Sequence, residues 1–341
     1  MADEPMDGEQ EKQEVADEAE AAPVIDYLRI SITDRCNLRC IYCMPAEGVT
    51  SMPHEEILSY EELELFARAA REAGITRVRL TGGEPLVRKG AVDFVGMLAA
   101  IDPELKVSLT TNGVLLGRYA ADLKEAGLSR VNISLDTLEP DAYRRITRVG
   151  RLDDALGGLR AAIDAGLEPV KVNVVVLGGL NDDPLPFAEI TRDLPVHVRF
   201  IEYMPYFGES GRWFVPADVI KERLAAAGPL EQVESPEGWG PASYFRLPGS
   251  AGMLGFISPV SCHFCSSCNR LRITADGRMR TCLFDTNGYN VKREIRAGAS
   301  RQRLREIIEG ELERKRAEGA HNKPPRGARV RAGDHMSRIG G

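Results

Sequence analysis

The chain has no run approaching the ~20 consecutive apolar residues that a bilayer span needs, so nothing in it reads as a membrane-crossing helix. Its first residues offer neither a basic stretch nor an apolar segment, which excludes a secretory signal and an Arg-rich transit peptide and makes the cytoplasm the expected location. Cysteine is missing from the more than two hundred residues between Cys43 and Cys262. Scattered core cysteines would not segregate in this way, and a long chain without a signal is a poor disulfide framework. The seven cysteines therefore read as metal or redox chemistry in a reducing compartment. Aromatic residues are missing from residues 300–341, where eleven Lys and Arg face six Asp and Glu. Without rings for base stacking, that basic segment argues weakly for a nucleic-acid partner.

At 341 residues the chain has room for one large α/β domain with an appendage, or for two ordinary domains. Residues 1–22 hold nine Asp and Glu and one Lys, a charge of −8 against −7 for the whole, so the remainder carries about +1. With almost nothing apolar to bury, residues 1–23 are expected to be a disordered acidic leader. From residue 27 the pattern alternates. The Val- and Ile-rich runs "YLRISI", "ITRVRLTG", "KVSLTTNG", "RVNISLD", "VKVNVVV" and "VHVRFIEYMP" read as strands. Between them "SYEELELFARAAREAG", "AVDFVGMLAAI", "GRYAADLKEAG", "LDDALGGLRAAIDAG" and "PFAEITRDL" have helical spacing, three of them closed by Gly. Six β/α units in a row predict a parallel sheet, either open and doubly wound or a closed or partial barrel. The pattern alone does not choose between these. After Pro205 come one more helix, a Gly- and Pro-rich stretch over 230–260, a hairpin turning near "ADGR", a charged helix near 300–318 and a basic, Gly-rich tail.

The stretch "DRCNLRCIYC" sets Cys36, Cys40 and Cys43 as C-x3-C-x2-C directly after the first strand. Three thiols can hold an iron–sulfur cluster by three irons and leave the fourth open to a small molecule. A structural zinc site would want a fourth ligand, for which the nearest candidate is His54. "TGGEP", residues 81–85, follows the second strand; its glycines let a backbone approach a ligand, and Glu84 can accept from an ammonium. By itself it reads equally well as a plain βα loop. Thr110 and Asn112 end the third strand, Ser134 and Asp136 the fourth, Lys171 lies early in the fifth, and Met204 follows the sixth. Polar groups at several strand ends point to a site at one mouth. Cys265, Cys268 and Cys282 form a second set, C-x2-C-x13-C. On spacing alone it suits zinc, closed by Cys262 or His263, as well as it suits iron and sulfur.

C-x3-C-x2-C with an aromatic, Tyr42, before the last Cys resembles the radical S-adenosylmethionine (SAM) enzymes. The block "FCxxCNRLRxTxDGxxxxCLF" narrows this. With "LRISITDRCNLRCIYCMP", "RLTGGEPLVR", "TTNG", "NISLDTL", "RFIEYMP" and the terminal "SRIGG", it resembles the molybdenum-cofactor biosynthesis protein A family, the GTP 3′,8-cyclases, from about residue 24 to the end. That resemblance implies an α/β fold, a partial (β/α)6 TIM-like barrel over residues 24–230. Residues 231–341 would form a C-terminal region that holds a second cluster, covers the open side and ends in Gly-Gly.

It also implies two [4Fe-4S] clusters, one on Cys36, Cys40 and Cys43 and one on Cys265, Cys268 and Cys282, with SAM among Tyr42, Gly83, Ser134 and Met204. GTP would meet Arg29, Arg79, Thr110, Lys171, Arg270 and Arg272, and Gly340 and Gly341 would enter the active site as a finger. The implied reaction abstracts hydrogen from C3′ of GTP, joins C3′ to C8 and is completed by reduction. Its product is (8S)-3′,8-cyclo-7,8-dihydro-GTP, the first step of molybdenum-cofactor synthesis. An external electron donor, a downstream pterin-forming enzyme and a homodimer follow as expected partners, with neither membrane nor nucleic acid. Cys262 departs from the family pattern and is expected to be a bystander. The alternatives are another radical SAM enzyme with an auxiliary cluster, such as a peptide modifier, and a zinc-clipped nucleic-acid-binding module.

Overall fold

The computed structural model describes residues 24–205, 211–236, 240–262, 264–286, 288–319 and 335–340; the acidic leader and Gly341 lie outside them. Strands β1 Tyr27–Ser31, β2 Arg77–Thr81, β3 Lys106–Thr111, β4 Arg130–Ser134, β5 Val170–Val176 and β6 Val196–Glu202 stand where the Val- and Ile-rich runs predict them. All six pair in parallel and in chain order. Helices α1 Tyr60–Glu72, α2 Ala91–Ala99, α3 Leu116–Glu125, α4 Pro140–Thr147, α5 Leu152–Asp164, α6 Leu185–Asp193 and α7 Ala217–Leu224 connect or follow them. A capping box starts α1: the Ser59 hydroxyl accepts from Glu62 N and the Glu62 carboxylate accepts from Ser59 N. Gly74, Gly127 and Gly166 end α1, α3 and α5 at φ of +98°, +96° and +65°, the left-handed conformation that closes a helix. The sequence reading missed α4, which is short and polar, although Pro140 at its first position is a recognised start signal.

The C-terminal region joins both edges of this sheet. β9 (Met253–Ile257) pairs in parallel with β6 and carries β8 (Ser243–Arg246) and β7 (Glu231–Val233) beyond it. β10 (Arg270–Ile273) pairs in parallel with β1 and carries β11 (Arg278–Arg280) and β12 (Tyr289–Asn290). The result is a twelve-stranded sheet that runs from β12 to β7 without closing, a partial barrel. The β10–β11 pair is the hairpin predicted at "ADGR". Among the described residues three more helices follow: α8 Val291–Arg296, α9 Arg301–Gly319 and α10 Met336–Ile339, the last within the basic, Gly-rich tail of the sequence.

Side chains alternate across this sheet in a way that locates the site. Leu28, Ile30, Val78, Leu80, Val107 and Leu109 belong to the buried apolar core that the helices cover. The residues between them, among them Arg29, Arg79 and Thr110, line a cavity of about 850 Å³ on the other face. A parallel sheet covered on both sides normally reads as continuous apolar runs. Here most of the alternate positions are polar or charged, with Val175 and Ile201 as apolar exceptions, so the concave face is built for something other than core packing.

Glu202, at the end of β6 and 2% exposed, ties the barrel to the region beyond it. Its carboxylate accepts from Ala217 N at the start of α7 (3.0 Å), from Val260 N (3.0 Å), from Ser261 N (2.9 Å) and from the Ser261 hydroxyl. Glu202→Ala leaves these donors buried and unpaired and should lower stability by about 3 kcal/mol. A urea unfolding midpoint equal to that of the parent would refute this role.

Candidate functional site

The connection from β1 to α1, residues 32–59, carries Cys36, Cys40 and Cys43 and is clamped at base and tip. At the base, the Arg88 guanidinium donates to Ile32 O (2.6 Å) and Leu58 O (2.9 Å). At the tip, Arg39 N and Ile41 N donate to Thr147 O (3.0 Å) and Ile146 O (2.9 Å), carbonyls at the end of α4 that have no partner within the helix. Arg148 follows at φ +61°, rare for a side-chain-bearing residue, and its guanidinium donates to Arg39 O and Met44 O, both at 2.9 Å. The helix that the sequence reading missed is thus a bracket for the cysteine loop.

The Gly-Gly turn after β2 lies directly under that loop. Gly83 N donates to Thr33 O (2.7 Å) and Glu84 N to Arg35 O (2.8 Å). A Cβ at Gly83 would stand 2.3 Å from Arg35 O. The backbone that demands glycine here is that of the cysteine loop, where the sequence suggests a ligand. Glu84 is committed inward as well: it accepts from Leu86 N (3.1 Å), the Thr111 hydroxyl (2.8 Å) and Asn112 N (2.7 Å). Burial pushes its carboxyl up to about 7 against the pull of those donors. Burial likewise raises Asp136 to about 6, although it accepts from the Tyr42 hydroxyl (2.7 Å) and Val175 N (2.9 Å).

Burial drives the Cys36 thiol to about 11 and that of Cys43 to about 12, and raises Cys40 as well. Thiolates in such a place need a bound cation to compensate them. The hydrogen bonds to these sulfurs come from neutral groups: Leu38 N to Cys36 Sγ (3.4 Å), the Asn112 amide to the same sulfur (3.9 Å) and the Ser337 backbone N–H to Cys43.

The second set lies at the other end of the strands. β10 runs parallel to β1 with Tyr27 opposite Arg270, so Cys268, two residues before β10, sits at the end of the sheet where β1 begins. Cys36 lies beyond the end of β1. β11 returns antiparallel along β10 and delivers Cys282 to the same end as Cys268. Five residues of strand, about 17 Å, therefore separate the two sets. At Cys268 burial pushes the thiol up, but Arg270, Lys315, Arg272 and a backbone N–H outweigh it and bring it down to about 7. Cys262 is exposed and does not border the cavity. Among the described residues no three or more His, Cys, Asp or Glu stand close enough to enclose a single metal ion. The two sets instead line the walls of one cavity.

Between the sets, strand register places Arg272, Arg29 and Arg79 side by side across β10, β1 and β2. Burial first, then Arg272, Arg79 and Arg270, pulls the Arg29 pKa well below its ordinary value, against the opposite effect of Tyr27. The Arg79 guanidinium donates to Ser108 Oγ (3.3 Å), and Arg199 makes two bonds to Asn173 Oδ1 (2.9 and 2.6 Å). With its amide oxygen turned toward them, Asn132 accepts from both arginines, at 2.7 Å from Arg199. Of the described charged residues lining the cavity, Arg29, Arg79, Lys171, Arg199, Arg270 and Arg272 are cationic, and only Glu84 and Asp136, both near the first set, are acidic. Thr110 Oγ1 is buried without a hydrogen-bond partner among the described residues.

All sequence-predicted site residues through Cys282 border this cavity: the six cysteines, Tyr42, Gly83, Ser134, Met204, Arg29, Arg79, Thr110, Lys171, Arg270 and Arg272. Gly340 is buried just behind it, where Arg272 donates to its carbonyl (2.8 Å) and a Cβ would lie 2.2 Å from Thr81 Oγ1. Its neighbours Met336 and Ser337 reach the cavity. Gly341 lies outside the described residues. The sequence reading missed Arg199 and Asn173, although the alternation that marks Arg29 and Arg79 also puts them on the inner face.

Residues 30–189 match the Radical SAM superfamily, and residues 196–321 match Molybdenum Cofactor Synthesis C. The chain is 52% identical over 320 residues to a GTP 3′,8-cyclase of Moorella thermoacetica, covering 93% of this chain and 98% of that one. A GTP 3′,8-cyclase of Thermodesulfovibrio yellowstonii is 50% identical over 325 residues, with the same coverage. Among solved structures, SuiB of Streptococcus suis bound to S-adenosylmethionine shares the fold, with a TM-score of 0.56 at 14% identity over 85% of this chain and 70% of that one.

Gly83→Ala would force the cysteine loop off its seat, and roughly half of the reconstituted iron should be lost while the helical signal in circular dichroism stays. Cys262→Ser should keep all of it. Full iron in the first variant, or a loss in the second, would contradict the geometry described.

Proposed function

The chain belongs to the GTP 3′,8-cyclases of the radical SAM superfamily, and we propose that the cavity between its two cysteine sets is where GTP is held for closure of its C3′–C8 bond. The enzyme converts GTP to (8S)-3′,8-cyclo-7,8-dihydro-GTP, the first step of molybdenum-cofactor synthesis, with SAM and two [4Fe-4S] clusters as cofactors. When bound, the first cluster and SAM supply a 5′-deoxyadenosyl radical and the second cluster supplies an open iron near the substrate. Each donor set has the character this needs: three thiols on one cavity wall, with Cys262 turned away. Cys36, Cys40 and Cys43 hold the first cluster and Cys265, Cys268 and Cys282 the second.

Tyr42, Gly83, Ser134 and Met204 border SAM in this reading, and Arg29, Arg79, Thr110, Lys171, Arg270 and Arg272 bind GTP. The observation that carries it is the row of cations between the two sets. A triphosphate brings several negative charges, and planar guanidinium groups meet its oxygens two at a time. The Thr110 hydroxyl adds a donor already withdrawn from water. Holding the nucleotide by many fixed groups places C3′ against the radical source and keeps water out, which is the protein's share of the catalysis. Gly340 is fixed by Arg272, and in this reading Gly340 and Gly341 are the finger that enters the site.

Residues 24–230 act as the radical-generating barrel and residues 231–341 as the unit that completes the substrate site. An external donor supplies the electron and a pterin-forming enzyme receives the product. A cytoplasmic homodimer is the proposed state, on the family resemblance. No helix among the described residues is long and apolar enough to cross a membrane.

Iron-reconstituted protein under anaerobic conditions with SAM, a reductant and GTP should yield 5′-deoxyadenosine and a product of the same mass as GTP, and no such product from ATP. Arg272→Ala should lower kcat/KM for GTP by at least ~100-fold, about 2.7 kcal/mol, and keep both clusters. If 5′-deoxyadenosine forms while GTP is unchanged, the substrate assignment fails.

A further inference from the structure

Helix α9 turns Leu304, Ile308 and Leu312 into the core. The next residue on that face, where helical periodicity calls for an apolar side chain, is Lys315. It is 9% exposed, and a lysine so buried is held by specific partners. Its ammonium donates to Thr281 O (2.7 Å) and to Cys268 Sγ (3.5 Å). One cation thus touches the sulfur of one thiol of the second set and the peptide just before another, Cys282. The same stretch of α9 grips this loop a second time: Arg314 bonds to Asp285, which accepts from Thr281 N. Among the described residues, the hydrogen bonds to the first set's sulfurs come from neutral amides; Arg39 acts on Cys36 through its charge but donates to backbone carbonyls, not to a sulfur.

We propose that Lys315 is a positioning residue that tunes the second cluster, its N–H···S bond and its charge stabilising the reduced form so that the two clusters of one chain stand at different potentials. Charge and hydrogen bonds at the ligand sulfurs are among the chief settings of an iron–sulfur potential, and a nearby cation favours the added electron. The inference rests on the reading of Cys265, Cys268 and Cys282 as cluster ligands. It assigns Lys315 no part in holding iron, which the three thiolates do.

The test uses the full chain with Cys36, Cys40 and Cys43 replaced by Ala, so that iron binds at the second set alone. Electron paramagnetic resonance during a reductive titration then gives that cluster's midpoint potential. Lys315→Met keeps the side-chain volume and removes donor and charge; Lys315→Gln keeps a donor without the charge. Lys315→Met should retain the cluster signal and move the midpoint negative by about tenfold in the reduced-to-oxidised ratio, about 59 mV for one electron. Lys315→Gln should fall between it and the parent. An unchanged midpoint in both variants overturns the inference. So does loss of the cluster from both with the fold retained, because Lys315 would then hold the site rather than tune it. A parent without an iron–sulfur signal would instead refute the cluster reading itself.

Discussion

Three guanidinium groups held abreast inside a parallel sheet set the terms for the rest of this molecule. Arg272, Arg29 and Arg79 occupy the same register position on β10, β1 and β2, and neighbouring strands are only about 5 Å apart. Like charges at such spacing repel by a few kcal/mol per pair even in a well-screened protein interior. The fold has to overcome this by other means, and the opposite face of the same strands supplies them. Leu28, Ile30, Val78 and Leu80 are fully buried against the helices, each contributing roughly 2 kcal/mol. Neutral acceptors, the Ser108 hydroxyl, the Asn132 amide and the Gly340 carbonyl, orient the guanidinium groups. The arrangement is thus stable enough to exist and electrostatically suited to a polyanion.

The cysteine loop meets a second constraint, that of fixing three thiols on a connection of twenty-eight residues, 32–59. Long loops are ordinarily mobile. This one is fastened in three places: by backbone hydrogen bonds to the Gly-Gly turn after β2, by backbone hydrogen bonds to the end of α4, and by the guanidinium of Arg88, on the connection from β2 to α2, to Ile32 O and Leu58 O. Glu84 in turn fastens that turn to the end of β3. Each fastening needs a backbone to come close or to take an unusual conformation, hence glycine at 82 and 83 and the positive φ of Arg148.

Much of this was legible in the sequence for identifiable reasons. The six parallel strands announce themselves as Val- and Ile-rich runs, and the two cysteine sets by their spacing. The cluster region's role at both sheet edges was not legible, because β9 and β10 pair with β6 and β1 across long stretches of chain that carry no pairing signal. Nor was α4, whose eight residues bury only one side and whose start is marked by a single proline. Lys315 sits inside a helix dense with charge, where one more cation reads as solvated surface; only its phase relative to Leu304, Ile308 and Leu312 sets it apart. Arg199 and Asn173 could have been found by carrying the alternation of β1 and β2 through to β5 and β6.

The two ends of the cavity, at the first and the second cysteine set, differ in charge, and that difference bears on how a nucleotide would lie between them. Glu84 and Asp136 stand near the first cysteine set, and burial raises the pKa of both. The second set is flanked by Arg270, Arg272 and Lys315. In the proposed reading, ionised Glu84 and Asp136 repel a triphosphate from the end of the cavity at the first set, and the arginine row attracts it. In that reading the sugar, which carries no charge, is the part best able to approach the first set. In the proposed reading that is the geometry the chemistry requires, because C3′ belongs to the sugar and the radical arises at the first set. In that reading the field proposed to bind the phosphates also aims the ribose, and the aim is set by strand register rather than by any single contact.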